Sequence, residues 1–192
     1  MTEMLWNSVA QFFERNDVQV AALHLEAHLR AQKSERFSTL ADLRFRNDPN
    51  DVLAYVNEFI AECSSFFNVE SVYLEMNGFD INFDRWYFDL FAYTEYVNDP
   101  DDLDWLCEWS SPDWEPLTLI GMEEIQEEFR WYMENEAWRQ KEHKATEEIA
   151  TLLVMVRFVQ LVSEALQSGP LTKPVPVLAT AHDFDILARF TP

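Results

Sequence analysis

VESVYLEMNGFDINFDRWYFDLFAY, residues 69–93, decides the fold. Residues 69–76 are rich in strand formers, and Asn77-Gly78 is a two-residue hairpin signal because both residues tolerate positive φ. Beyond it Phe79, Ile81 and Phe83 alternate with Asp80, Asn82 and Asp84, the period of a half-buried strand. A third strand over 85–93 places Trp86, Phe88, Leu90 and Ala92 on one face, and Tyr87, Asp89, Phe91 and Tyr93 on the other. The stretch therefore predicts an antiparallel meander. Aromatics on both faces predict a sheet covered on each side, or one aromatic face kept for a partner.

Upstream the pattern is helical. Leu5, Val9, Phe12 and Phe13 fall at helical spacing, Asn16-Asp17 marks a break, and Val20, Leu23 and Ala27 continue the period. Residues 34–50, from Ser34, are less periodic and close on a turn, after which Asn50 or Asp51 caps a helix through Val52, Tyr55, Val56, Phe59, Ile60 and Cys63. Downstream, residues 98–104 read as an acidic turn containing Pro100. Residues 104–110 read as a short strand, and a helix begins near Met122 with Glu123 and Glu124 in its first turn. Residues 146–167 are apolar around much of their circumference, the pattern of a central buried helix, stopped by Gly169-Pro170. Pro176 opens a last strand, 176–181, entering at a sheet edge. With no repeat or low-complexity linker, 1–192 reads as one α+β domain. Its parts are N-terminal helices, a central antiparallel sheet made of the meander plus a C-terminal strand, and a long buried C-terminal helix.

The net charge of −21 is concentrated. Residues 1–46 carry six acids and six bases, and so do residues 139–192; residues 47–138 carry twenty-three acids against Arg85 and Arg130 alone. Within that span, 86–129 holds thirteen Asp and Glu and ten aromatics with no Lys, Arg or His. Acid alone reads as a solvated tail, whereas acid threaded with aromatics reads as a folded face with a strong negative potential. Such a field repels nucleic acid and anionic membranes and attracts cationic partners. Only three Gly leave little room for phosphate-cradling loops. Cys63 and Cys107 read as reduced, mostly buried thiols. The start lacks a secretory signal, and no apolar run approaches the roughly 18 residues of a membrane span, so a cytoplasmic protein is expected.

Several motifs bear on chemistry. His24 and His28 share a helical face at a zinc-binding spacing, but the intervening glutamate sits one place too late for a metalloprotease base and no further ligand pattern follows. The cluster of Asp99, Asp101, Asp102 and Asp104 fails the calcium-loop pattern, lacking the required glycine and the final glutamate. His182-Asp183-Phe-Asp185 is a ligand cluster or an acid–base pair by composition, without any nucleophile context. No cofactor is expected, and no catalysis. The tryptophans carry more: Trp105, Trp109 and Trp114 lie beside Asp104, Glu108, Asp113 and Glu115 in a turn-rich segment. Core packing accounts for some of them. An interface accounts for the rest, with aromatic anchors and carboxylates that steer a basic partner.

The segments WYFDLFAY (86–93), DWLCEW (104–109) and PLTLIGMEEIQEEF (116–129) are similar in style to small acidic immunity proteins of bacterial toxin–immunity systems. That resemblance implies a cytoplasmic protein that binds a cognate toxin domain and blocks it, and it carries over no binding residue. The expected partner-binding set is Glu95, Asp99, Asp101, Asp102, Asp104, Trp105, Glu108, Trp109, Asp113, Trp114 and Glu115. Open alternatives are a nucleic-acid mimic that inhibits a DNA- or RNA-binding protein, a metal-dependent hydrolase using His24, His28 or His182, and a homodimer that buries the aromatic face against itself.

Overall fold

A computed structural model of the chain describes residues 3–13, 17–32, 35–99, 102–184 and 188–192. Asn16, Ser34, Pro100, Asp101 and Asp185, on which parts of the sequence reading fell, lie outside the described residues. The elements run α1 (Glu3–Phe13), α2 (Val18–Arg30), α3 (Glu35–Ser38), α4 (Pro49–Ser64), β1 (Ser71–Met76), β2 (Tyr87–Tyr93), β3 (Leu117–Thr118), α5 (Glu123–Glu134), α6 (Lys141–Ser168), β4 (Val177–Ala181) and β5 (Ala188–Phe190). This is an α+β fold.

The sheet order is β3-β2-β1-β4-β5. It is mixed rather than antiparallel throughout. β1 pairs antiparallel with β2, but β4 lies parallel to β1 with Val72 opposite Val177 and Met76 opposite Ala181. β4 is thus an inner strand, and β5, which the sequence reading lacked, takes the edge.

The alternation read over residues 85–93 sets the faces of β2, and β1 follows the same alternation. Val72, Leu74 and Met76 of β1, with Phe88, Leu90 and Ala92 of β2, are buried in the main core. The Asn77-Gly78 hairpin does not form. Asn77 instead braces a wide connection, its Oδ1 accepting from Tyr87 N at 2.9 Å and its amide donating to Arg85 O at 3.3 Å. Phe79 turns inward and Trp86 donates Nε1–H to its carbonyl at 3.0 Å. Burying two large rings outweighs the short turn, so residues 79–83 form no strand and β2 begins at Tyr87.

Helices cover the face lined by Phe88. α4 is capped by Asp48, whose side chain accepts from Asn50 N at 2.9 Å, with Pro49 leading the first turn. The cap is therefore Asp48, not Asn50 or Asp51. α4 buries Val52, Val56, Phe59 and Ile60 at helical spacing, and Tyr55 meets Phe88 with ring centroids 5.6 Å apart. α6 packs on α2 on one side and on α4 and β4 on the other, with Phe158 5.4 Å from Phe88. It starts five residues earlier than the apolar pattern, because its first turn is polar and exposed. α6 is also long and apolar enough to cross a membrane by composition, contrary to the sequence reading; 78% of its most apolar window is buried in the fold, as in a core helix. It ends at Ser168, with Gly169 extended rather than left-handed.

Gly121, ahead of α5, has φ 102°, and a Cβ there would meet Arg44 O at 2.6 Å. That close approach holds the chain before α5 against residues 44–46, where Arg46 N donates to Ile120 O at 2.8 Å.

Candidate functional site

The face of the sheet turned away from the helices carries Tyr73 and Glu75 of β1, Tyr87, Asp89, Phe91 and Tyr93 of β2, and Leu178 and Thr180 of β4. At one end it is roofed by the chain that follows β2. Trp105 lies in a 3-10 turn, Asp104–Cys107, where the sequence reading placed a strand. It packs on Tyr93 with ring centroids 4.9 Å apart, and with Tyr73 and Leu178 it forms a second, smaller core. Backbone bonds fix the roof. Ser71 Oγ donates to Glu95 O at 2.7 Å, Tyr93 OH to Leu106 O at 3.0 Å, and Ser110 N to Ala92 O at 2.8 Å. Arg189 of β5 donates to Val97 O at 3.3 Å and to Asp99 O at 3.5 Å, tying the roof to the far edge of the sheet.

The expected partner-binding residues separate once placed. Trp105 is buried at 7% exposure and belongs to the small core. Trp114 is half-buried, 5.5 Å from Phe59 of α4, and so packs toward the helical layer. Trp109 alone of the three presents its indole, 53% exposed, resting on Phe91 with centroids 5.2 Å apart. Glu95, Asp99, Asp102, Asp104, Glu108, Asp113 and Glu115 are all exposed. Glu115 lies 3.9 Å from Arg85, while Glu95, Asp102, Asp104, Glu108 and Asp113 form no ion pair among the described residues. Asp101 lies outside the described residues. Cys107 is exposed and only Cys63 is buried, its thiol pushed up to about 11 by burial.

Beyond the roof the same face opens into a cleft of about 320 Å³ that the sequence reading did not assemble. Glu75 and Asp89 stand opposite each other across β1 and β2. His182, the first residue after β4, donates Nδ1–H to Glu75 Oε1 at 3.1 Å. Its backbone N–H donates to Met76 O at 2.8 Å, and Asp183 takes a left-handed φ of 65° that turns the chain away. Burial, then the charge of Glu75, raises the Asp89 carboxyl above its usual range. The hydrogen bond to Glu75 raises His182 against the opposing effect of burial. The sequence signal was available in part: Tyr73-x-Glu75 and Tyr87-x-Asp89 put an acid at matching places on the outer face of two strands.

His24 and His28 lie with ring centroids 4.2 Å apart, but His28 donates Nδ1–H to His24 O at 2.9 Å and His24 Nε2 is buried without a partner. Among the described residues no group of three or more His, Cys, Asp or Glu converges to hold a metal ion. Compared with family models, curated proteins and solved structures, the chain has no match.

Proposed function

We propose that this chain is a non-catalytic acidic binding protein that docks on a basic partner and neutralises it, the partner being a cognate bacterial toxin domain and the setting the cytoplasm. One observation carries the reading: an exposed indole, Trp109, stands on the roof segment beside the exposed carboxylates of Glu108 and Asp113, which form no ion pair among the described residues. Unpaired surface acids of one sign raise the rate of encounter with a cation-rich surface, and an exposed aromatic on a rigid base supplies a desolvated anchor once contact is made. The rigid base matters because a pre-ordered side chain loses little freedom on binding. Trp105 serves the reading indirectly, as the buried pin that holds the roof on the sheet.

The test is protection. The chain is coexpressed with the basic C-terminal domain of a secreted protein encoded immediately upstream of it. Growth rescue and a stoichiometric complex are expected, with Trp109→Ala weakening the complex. Continued toxicity at matched expression, with no complex at low salt, would remove the reading.

A further inference from the structure

The outer face of α2 is open to solvent. Val18, Ala21, Ala22, Leu25 and Leu29 are buried against α1 and α6. Val20, Leu23, Ala27 and Ala31 lie on the opposite side and are exposed. Their spacing of three, four and four residues keeps them on one stripe of the helix. Val20 and Leu23 are 45% and 51% exposed, so the stripe presents branched apolar surface to solvent. It carries no carboxylate between its ends, because Glu26, the one acid within α2, is buried on Arg157. The charges stand at the ends instead. Asp17 is exposed at the start, with no cap bond from its side chain and no ion pair among the described residues. His28 and Arg30 occupy the last turn. In a chain of net charge −21, this stripe falls in the segment 1–46, where six acids balance six bases.

We infer that this stripe is a self-association seam, on which α2 of a second copy packs antiparallel about a twofold axis. Charge selects the occupant. A basic domain is drawn to the carboxylates of residues 47–138, and α2 offers it Asp17 alone. A second copy of the same acidic chain can approach here without setting carboxylates against carboxylates. Charge also selects the direction. Antiparallel pairing brings the Asp17 end of one copy beside the His28 and Arg30 end of the other, with the helix dipoles opposed. Parallel pairing would set Asp17 against Asp17 and Arg30 against Arg30. Shape agrees. With the axis between Leu23 and His24, Val20 faces Ala27 of the second copy and Leu23 meets its own mate. Large against small interdigitates, and Ala27 allows the helix axes to approach to about 8 Å. α6 lies between α2 and the sheet, so the roof and Trp109 stay open in both copies. The 13 residues of α2 span only about 20 Å, short of the standard interface of about 1,600 Å², so the dimer is weak and concentration-dependent.

The test is sedimentation equilibrium of the full chain up to about 1 mM, followed by cross-linking. A monomer–dimer equilibrium is expected, weakened about tenfold or more by Leu23→Glu and unaltered by Trp109→Ala. Both positions are exposed, and circular dichroism checks that each variant keeps its fold. Cross-linking is done with the exposed Cys107 replaced, in a Cys107→Ser background; Cys63 is buried. Disulfides need Cα atoms about 4.4–6.8 Å apart, and the seam places Leu23 that close to its mate. Leu23→Cys should therefore link to itself under mild oxidation. Val20→Cys should link to Ala27→Cys when the two are mixed, but scarcely to itself, because the two Val20 positions are offset by about 10 Å along the axis. A monomer throughout the concentration range, or a dimer that Leu23→Glu leaves intact, would overturn the seam. Val20→Cys linking to itself as readily as to Ala27→Cys would overturn the antiparallel pairing. A wild-type monomer whose complex with the toxin domain is lost in Leu23→Glu would give the stripe to the toxin and remove the second copy. The seam stands or falls apart from toxin protection, since neither its geometry nor its test involves the roof.

Discussion

Trp109 rests on Phe91, with ring centroids 5.2 Å apart and roughly half of the indole open to solvent. Phe91 in turn stacks on Tyr73 at 5.8 Å, so the exposed ring stands on the sheet itself rather than on a loop. Trp105, four residues earlier, is enclosed by Tyr93 and Tyr96. Trp105→Ala should cost about 3–5 kcal/mol of stability, the usual range for emptying a buried aromatic site. Trp109→Ala should cost within about 1 kcal/mol of stability, yet weaken the complex by about 2 kcal/mol or more if it is an anchor. Urea unfolding and calorimetric titration separate the two effects.

Inside the helical layer, Arg157 of α6 meets Glu26 of α2, at 2% and 3% exposure. Glu26 also accepts from Arg30 at 3.0 Å and from Arg44 at 3.2 Å, while Arg157 donates to Gln160 at 2.8 Å. Breaking such a pair from one side strands a buried charge. Glu26→Gln should therefore destabilise by about 3–5 kcal/mol. The double variant Glu26→Leu with Arg157→Met should cost far less, since an apolar pair strands nothing. Denaturant midpoints of the three proteins check this.

The same pair gives the stability an acid limit. Burial alone would raise the Glu26 carboxyl, but the hydrogen bond and charge of Arg157, with Arg30 and Arg44, hold it below its ordinary 4.5. A depressed carboxylate contributes stability that is complete above the unfolded value and is lost as pH falls through the folded one. Unfolding free energy should thus decline below about pH 4.5, and the Glu26→Gln variant should show a shallower acid limb over that range.

The cleft shows the opposite sign. A raised Asp89 means that its ionised form costs stability at neutral pH, and the cost fades as pH falls through the folded value. Asp89→Asn should raise the thermal midpoint at neutral pH, by an amount that shrinks in acid. His182, raised by Glu75, contributes stability that is full below its ordinary 6.5 and is lost as pH rises through the folded value. In His182→Ala that alkaline-side loss should be absent. The effect is small, because His182 is well exposed and solvent screens the pair.

What the sequence revealed divides along local and non-local lines. The period of two in 85–93 groups Phe88, Leu90 and Ala92 on one face, because alternation is a property of each strand alone, and the fold buries that face. The buried character of α6 was legible for the same reason. The turn after Met76 escapes a local reading because Asn77-Gly78 favours a tight hairpin by itself, whereas the mutual burial of Phe79 and Trp86 decides the loop. The parallel pairing of β1 with β4 spans about a hundred residues and leaves no mark in either strand. The cleft depends on that pairing, since it is β4 that delivers His182 to Glu75. Among the tryptophans, all three share acidic neighbours, and nothing in spacing distinguishes Trp105, folded under the roof, from Trp109 on top of it.

The most direct test of the docking account is the rate of association with the toxin domain, measured by stopped flow through Trp109 fluorescence or a dye on the partner. Between about 0.01 M and about 1 M ionic strength the screening length falls from about 30 Å to about 3 Å. If the exposed carboxylates of residues 95–115 steer the encounter, the association rate should fall by about tenfold or more across that range, with dissociation changing far less. An association rate that stays constant from low to high salt would contradict it.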